Sequence, residues 1–120
     1  MLLDKRTCLA YTLVYLDTRS ARGKMTELTL VTPDQRRLRP LVEAAIQNEL
    51  RLLTAGIRRT KQRLRAFEEQ YGLSTAEFLD QYENDQLEET LDFDEWVGEW
   101  RLLERLQDNA STLQGIQFSN

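Results

Sequence analysis

The sequence predicts a mainly α-helical protein. A long kinked helix and a returning helix form an antiparallel hairpin, with a short middle helix between them. Three observations carry this. Apolar residues recur at spacings of three and four along two long segments, the period of a helix that buries one face. Helix-start signals punctuate the chain at three places. Gly and Pro number only five and two in 120 residues, too few for a sandwich of many short strands. Apolar content of 41% and charged content of 30% fit helices that each bury one stripe.

The N-terminal part reads differently. Residues 8–16 (CLAYTLVYL) are β-branched and aromatic and predict a strand. Residues 17–24 (DTRSARGK) are polar and predict a loop. Residues 25–31 alternate, with Leu28 and Leu30 on one side and Glu27, Thr29 and Val31 on the other, as in a half-buried strand. The two strands would make a small β-hairpin with a mobile tip. Met25 also opens a self-sufficient unit of strand and capped helices, a single helical domain over 25–120. Residues 1–24 are then an N-terminal extension, strand plus mobile loop, of the kind a misassigned start would add. The longest uncharged apolar stretch, Thr7 to Leu16, is well short of the roughly 20 residues that span a bilayer. It follows Lys5 and Arg6, but it contains two Tyr and no small-residue cleavage site follows, which argues against a signal peptide.

Thr32-Pro33-Asp34-Gln35 sets a Thr at an N-cap, a Pro at the first helical position and a Gln at the capping-box position. The first helix is expected from about Pro33 to Tyr71, kinked at Pro40, which lacks an N–H. Gly72 should end it in a left-handed cap. Ser74-Thr75-Ala76-Glu77 is a full capping box, with Leu73 and Phe78 as its hydrophobic staple, and starts a short helix to about Glu83. Asp92-Phe93-Asp94-Glu95 repeats the pattern, with Leu91 and Trp96 as staple, and starts a last helix from Phe93 to about Leu113, ending at Gly115. The tail Ile116-Gln117-Phe118 could form a strand and pair with residues 26–31.

Along the long helix, Ile46, Leu50, Leu53, Ile57, Leu64, Phe67 and Tyr71 form a coiled-coil-like seam, with Thr60 its one polar member. The returning helix answers with Phe93, Trp96, Val97, Trp100, Leu103, Leu106, Ala110 and Leu113. Gly98 within it would let another backbone approach closely. Mutual burial of the two stripes is the plain reading. At about 1.5 Å per residue, however, Pro40 to Tyr71 spans roughly 48 Å and Phe93 to Leu113 roughly 31 Å. The surplus around Leu41, Val42, Ala45, Ile46, Leu50, Leu52 and Leu53 must meet the N-terminal strands, a partner or a second copy. A symmetric homodimer is the simplest of these.

Charge is split along the chain. Residues 1–65 hold fourteen Lys/Arg against six Asp/Glu, a net of +8, and residues 66–120 hold two against fourteen, a net of −12. Glu83, Asp85, Glu88, Glu89, Asp92, Asp94 and Glu95 form the densest acidic run. Helix starts favour some of these carboxylates. The excess would attract a basic protein surface. Arg51, Arg58 and Arg65 recur every seven residues, flanked by Arg59, Lys61 and Arg63. That stripe could follow phosphates, pair with Glu99, Glu104 and Asp108, or simply face water. With no His and the single Cys8, a structural zinc site and an internal disulfide are not expected, and the lone thiol fits a reducing cytoplasm. The acidic run lacks the ligand ladder and central glycine of an EF-hand. No His, Lys or hydroxyl constellation completes a catalytic site beside it, so neither an enzyme nor a cofactor is expected.

Three blocks carry a resemblance: Leu41-Val42-Glu43-Ala44-Ala45-Ile46, then Phe67 to Phe78 (FEEQYGLSTAEF), then Leu91-Asp92-Phe93-Asp94-Glu95-Trp96. From Met25 onward the chain resembles small prokaryotic antitoxin-like proteins of toxin–antitoxin gene pairs. The resemblance implies a cytoplasmic binding role without catalysis, and it assigns no site residue. Together these readings predict a non-enzymatic interaction module. It would be a homodimer that binds a basic protein, a toxin from an adjacent gene, through the acidic turn and last helix. The alternatives are a nucleic-acid-binding regulator using Arg51, Arg58, Arg59 and Arg65 with a strand-helix element, and a purely structural dimer.

Overall fold

The computed structural model describes residues 14–17, 25–34 and 37–119. Its contacts divide the chain into two units, Met1–Val42 and Glu43–Asn120.

In the first unit, β1 (Val14–Asp17) pairs antiparallel with β2 (Thr26–Thr29), with Val14 opposite Thr29 and Asp17 opposite Thr26. This is the expected hairpin; residues 8–13 and 18–24 of it lie outside the described residues. The expected half-buried face is not there. Every residue of β2 is exposed, and so are Leu30 and Val31. Two four-residue strands form a sheet too small to cover one of its own faces. Residues 116–118 form no strand, so the anticipated pairing with 26–31 is not made; β2 pairs with β1.

The first helix, α1, spans Arg39–Tyr71 and does not begin at Pro33. Thr32 does accept a hydrogen bond from the Asp34 N–H at 3.2 Å, but the helix starts only at Arg39. Pro40 is the reason. A proline disfavours helical geometry before it and clashes with the carbonyl four residues back. In the first turn it costs nothing, because its missing N–H would have had no partner. The N–H groups of Leu41 and Val42 both reach the Leu38 carbonyl, at 3.1 Å. Pro40 therefore starts the helix where a kink was expected.

The second unit holds the rest of α1, then α2 (Thr75–Glu83) and α3 (Leu91–Gln114). Gly72, at φ 68°, ends α1 and donates to the Glu68 carbonyl at 2.9 Å. The capping box at Ser74 forms in full. The Glu77 N–H donates to Ser74 Oγ, and the Ser74 N–H donates to Glu77 Oε1, each at 3.0 Å. The cap of α3 lies two residues before the expected one. Thr90 Oγ1 accepts from the Phe93 N–H at 3.1 Å, which places Asp92 inside the first turn. Leu91 is 75% exposed and makes no staple with Trp96.

Three contacts fix the packing of α3 on α1. Tyr71 meets Phe93, Phe67 meets Trp96 and Arg63 meets Glu99. One partner's number falls as the other's rises, so the helices run antiparallel. A fourth point extends the register: a Cβ built on the buried Gly56 would sit 3.3 Å from Leu106 Cδ1. The close approach therefore lies at Gly56. Gly98, the glycine expected to provide it, is exposed, and a Cβ there would meet nothing within 4 Å. Leu53, Thr60 and Leu64 of the expected seam are buried, while Ile46, Leu50 and Ile57 are half-buried. Leu41 and Leu52 are exposed.

The core gathers at the closed end of the hairpin. Leu64, Phe78, Trp96, Val97 and Leu103 form one buried cluster, with Phe67, Leu73, Phe93 and Trp100 packed against it. Trp96 lies flat on Phe78, centroids 4.0 Å apart and rings within 3°, and stacks on Phe67 at 5.4 Å. Its indole N–H donates to Thr75 Oγ1 at 3.0 Å. The Thr75 hydroxyl and N–H both donate to Glu68 Oε2, at 2.8 and 2.9 Å. One polar chain, buried at Trp96 and Thr75 and half-buried at Glu68, thus ties all three helices.

Candidate partner-binding site

The acidic run occupies the connection from α2 to α3 and the first turns of α3. Asn84 caps α2, and its side-chain amide donates to the Asp80 carbonyl at 2.8 Å. Asp85 adopts φ 55°, a left-handed conformation that Asp tolerates better than most side chains. This turns the chain sharply, and Gln86 donates back to the Gln81 carbonyl at 2.9 Å. Glu83, at the end of α2, and Asp85, Glu88 and Glu89, on the connection, all remain exposed.

The seven carboxylates divide into two groups. Asp92 accepts a short hydrogen bond from the Tyr71 hydroxyl and a long one from Gln70 Nε2. Asp94 accepts from the Tyr82 hydroxyl at 3.1 Å. Tyr71, expected only as a seam residue, and Tyr82, which the sequence did not single out, clamp the start of α3 to the ends of α1 and α2. Glu83, Asp85, Glu88, Glu89 and Glu95 stand outside these clamps. None of the seven ion-pairs with a described residue.

The clamps have a pH signature. Both phenols are held above their ordinary pKa of 10.0, first because each donates its proton to a carboxylate, then through burial and the carboxylate's charge. A raised native pKa means the folded chain holds the proton more tightly than the unfolded chain. The clamps' stability is therefore complete below pH 10.0 and is lost as pH rises through the raised values. We expect the phenolate absorbance of Tyr71 and Tyr82 to develop later in the folded chain, and Asp92→Asn to abolish the delay at Tyr71 alone. Titration curves that superpose on those of the denatured chain would contradict the clamps.

The arginine stripe occupies the other face of α1. Arg51, Arg58 and Arg65 are exposed, as is Arg59, and by helical geometry the first three lie opposite Leu53, Thr60 and Leu64. Arg51 donates to Asn48 Oδ1 at 2.8 Å. The cross-helix ion pair expected for this basic segment involves Arg63, which meets Glu99 Oε2 at 3.1 Å. The pair is half-exposed on the arginine side, so it contributes little to stability.

Among the described residues, no group of His, Cys, Asp and Glu is arranged to hold a metal ion, and no helix is long and apolar enough to cross a membrane. No family model, curated protein or solved structure matches the chain.

Proposed function

We propose that this chain is a non-enzymatic interaction module that binds a basic protein through the 83–90 connection and the start of α3. One observation carries the reading. Glu83, Asp85, Glu88 and Glu89 crowd an exposed connection with no cation against them among the described residues. Like charges held together destabilise a fold unless something else uses them. Here they are also pre-ordered, because the capped end of α2 and the tyrosine clamps fix both ends of the connection. A basic surface binding there gains attraction at little ordering cost. With the antitoxin-like resemblance, the partner is a toxin encoded beside this chain, met in the cytoplasm.

The test is affinity capture of flanking-gene products with the full chain. We expect a basic protein to be recovered, and recovery to fall at least tenfold when Glu83, Asp85, Glu88 and Glu89 are replaced together by their amides. Asp92 and Asp94 are left intact, since they carry the clamps. Recovery of no flanking product, or recovery unaffected by the four substitutions, would refute the reading.

A second reading rests on Arg51, Arg58 and Arg65. They form a cationic row about 21 Å long by helical rise, exposed and without a carboxylate against it among the described residues. In this reading the chain binds a nucleic-acid backbone, with affinity that falls steeply with salt. Absence of binding to a duplex DNA or RNA at low ionic strength would end it. Either reading accommodates a homodimer through the exposed Leu52 of α1, which sedimentation analysis of the wild type and Leu52→Ser would reveal.

A further inference from the structure

One face of the α1–α3 hairpin turns apolar towards its open end while staying accessible. At the closed end this face is marked by Arg63 and Ala66 of α1 and Glu95 and Glu99 of α3, which line a shared groove. Seven residues make nearly two full turns, so residues in heptad relation share a face. Leu102 is therefore in line with Glu95, Leu106 and Leu113 with Glu99, and Arg59 and Leu52 with Ala66. Leu52 is 61% exposed. Leu102, Leu106 and Leu113 are half-buried and stand outside the buried core cluster. α2 docks beside Glu68, on the far side of α1 from Ala66, so it does not cover them. Glu49, in line with Arg63, and Arg59 are exposed on the same face, with no charged partner among the described residues.

We propose that a second copy of this chain covers this face, the two hairpins stacking antiparallel about a twofold axis level with Thr54. Self-complementarity favours a copy over any other occupant, because a twofold contact sets each residue against its symmetry mate. Glu49 and Arg59 each lie five residues from Thr54, so each Glu49 opposes the other copy's Arg59. The register that puts Gly56 beside Leu106 puts Asp108 level with Thr54. Leu102 and Leu113 lie six and five residues from it, so the leucines of one α3 meet those of the other. The area suffices. From Glu43 to Arg65 the stack is about 34 Å long, and two helices side by side are about 20 Å wide, or roughly 700 Å² per copy. The total, roughly 1,400 Å², lies within the 1,200–2,000 Å² of specific interfaces. Charge sets the antiparallel sense. A parallel stack would bring the two acidic connections together, whereas this one holds them at opposite ends. The homodimer is independent of the basic partner proposed above, but it gives each assembly two acidic ends with which to meet one.

The test is sedimentation velocity of the full chain over rising protein concentration, where we expect a monomer–dimer equilibrium. Arg59→Glu and Glu49→Arg each set like charges against one another at both symmetry-related contacts. Each should raise the dissociation constant at least tenfold. The double variant Glu49→Arg with Arg59→Glu restores opposite charges and should return it to within about threefold of wild type. Leu52→Ser should also weaken the dimer at least tenfold. All three side chains are exposed, so circular dichroism should show the fold unchanged. A monomer at every concentration, a dimer indifferent to Leu52→Ser, or a double variant no better than the single ones would overturn the antiparallel dimer. So would a monomeric chain that loses the flanking-gene product in Leu52→Ser, since the face would then belong to that partner. Amide replacement of Glu83, Asp85, Glu88 and Glu89 should leave the dimer intact, so the dimer and the protein-binding reading fail separately.

Discussion

Replacing Trp96 with alanine should cost the Glu43–Asn120 unit about 3–5 kcal/mol of stability, a large share of what it has. Trp96 is fully buried and touches the core from all three helices. It stacks on Phe67 of α1 and Phe78 of α2, and its indole reaches Thr75 at the start of α2. Removing a buried tryptophan typically costs about 3–5 kcal/mol, the lost transfer energy plus the cavity left behind. A unit of this size holds a total stability on the order of 4–12 kcal/mol, at roughly 0.05–0.15 kcal/mol per residue. The loss is therefore a large share of the whole. The nine-residue α2 is the first casualty, because a helix so short does not persist in water without tertiary contacts.

Trp96→Phe separates packing from hydrogen bonding. Phenylalanine keeps most of the stack and loses the N–H. Thr75 still donates to Glu68, so no buried group is left without a partner. We expect a loss of about 1–2 kcal/mol, the sum of a smaller ring and one hydrogen bond. Urea unfolding followed by far-ultraviolet circular dichroism measures both variants. A cost below about 1 kcal/mol for Trp96→Ala would mean that the packed core described above is not what holds the helices together.

The helical hairpin was legible because its signals are local. The seam period, the Gly72 stop and the capping box at Ser74 each need only a few neighbouring residues, and all three appear where expected. The errors came where local signals competed. At Pro33 and Pro40 two helix starts were available, and the second prevailed because a proline is harmless in a first turn and disruptive later. At Thr90 and Asp92 both side chains can cap, and the choice went to Thr90. This freed Asp92 to accept from Tyr71, a contact across twenty-one positions. Such contacts are invisible to periodicity, and that is why the hydrogen bonds of Tyr71 and Tyr82 and the Glu68–Thr75–Trp96 chain emerged only in three dimensions. The acidic run was evident from composition. Which of its members are spent internally was not.

The two helical glycines provide the sharpest test of how α1 and α3 meet. Gly56 lies between Ala55 and Ile57 and Gly98 between Val97 and Glu99, and Gly98 was expected to allow a close approach of another backbone. The structure assigns that role to Gly56, where an added Cβ would stand 3.3 Å from Leu106 Cδ1. Gly56→Ala should be nearly neutral. Its gain in helix propensity, about 1 kcal/mol, is offset by the small shift that Leu106 must make. Gly56→Leu is different in kind. Three further carbons have no space between the helices, and the strain spreads to Leu53 and Thr60 on the same face. We expect a loss of about 3 kcal/mol, at the upper end for overpacking. Gly98→Leu should have the opposite sign, stabilising by about 0.8 kcal/mol, because the site is open and leucine is a good helix former. Urea midpoints of the variants give the comparison directly. The contrast is independent of any partner, since it reads only how closely two backbones approach. If Gly56→Leu proved as stable as wild type, or Gly98→Leu the worse of the two, the register of α3 on α1 would have to be redrawn.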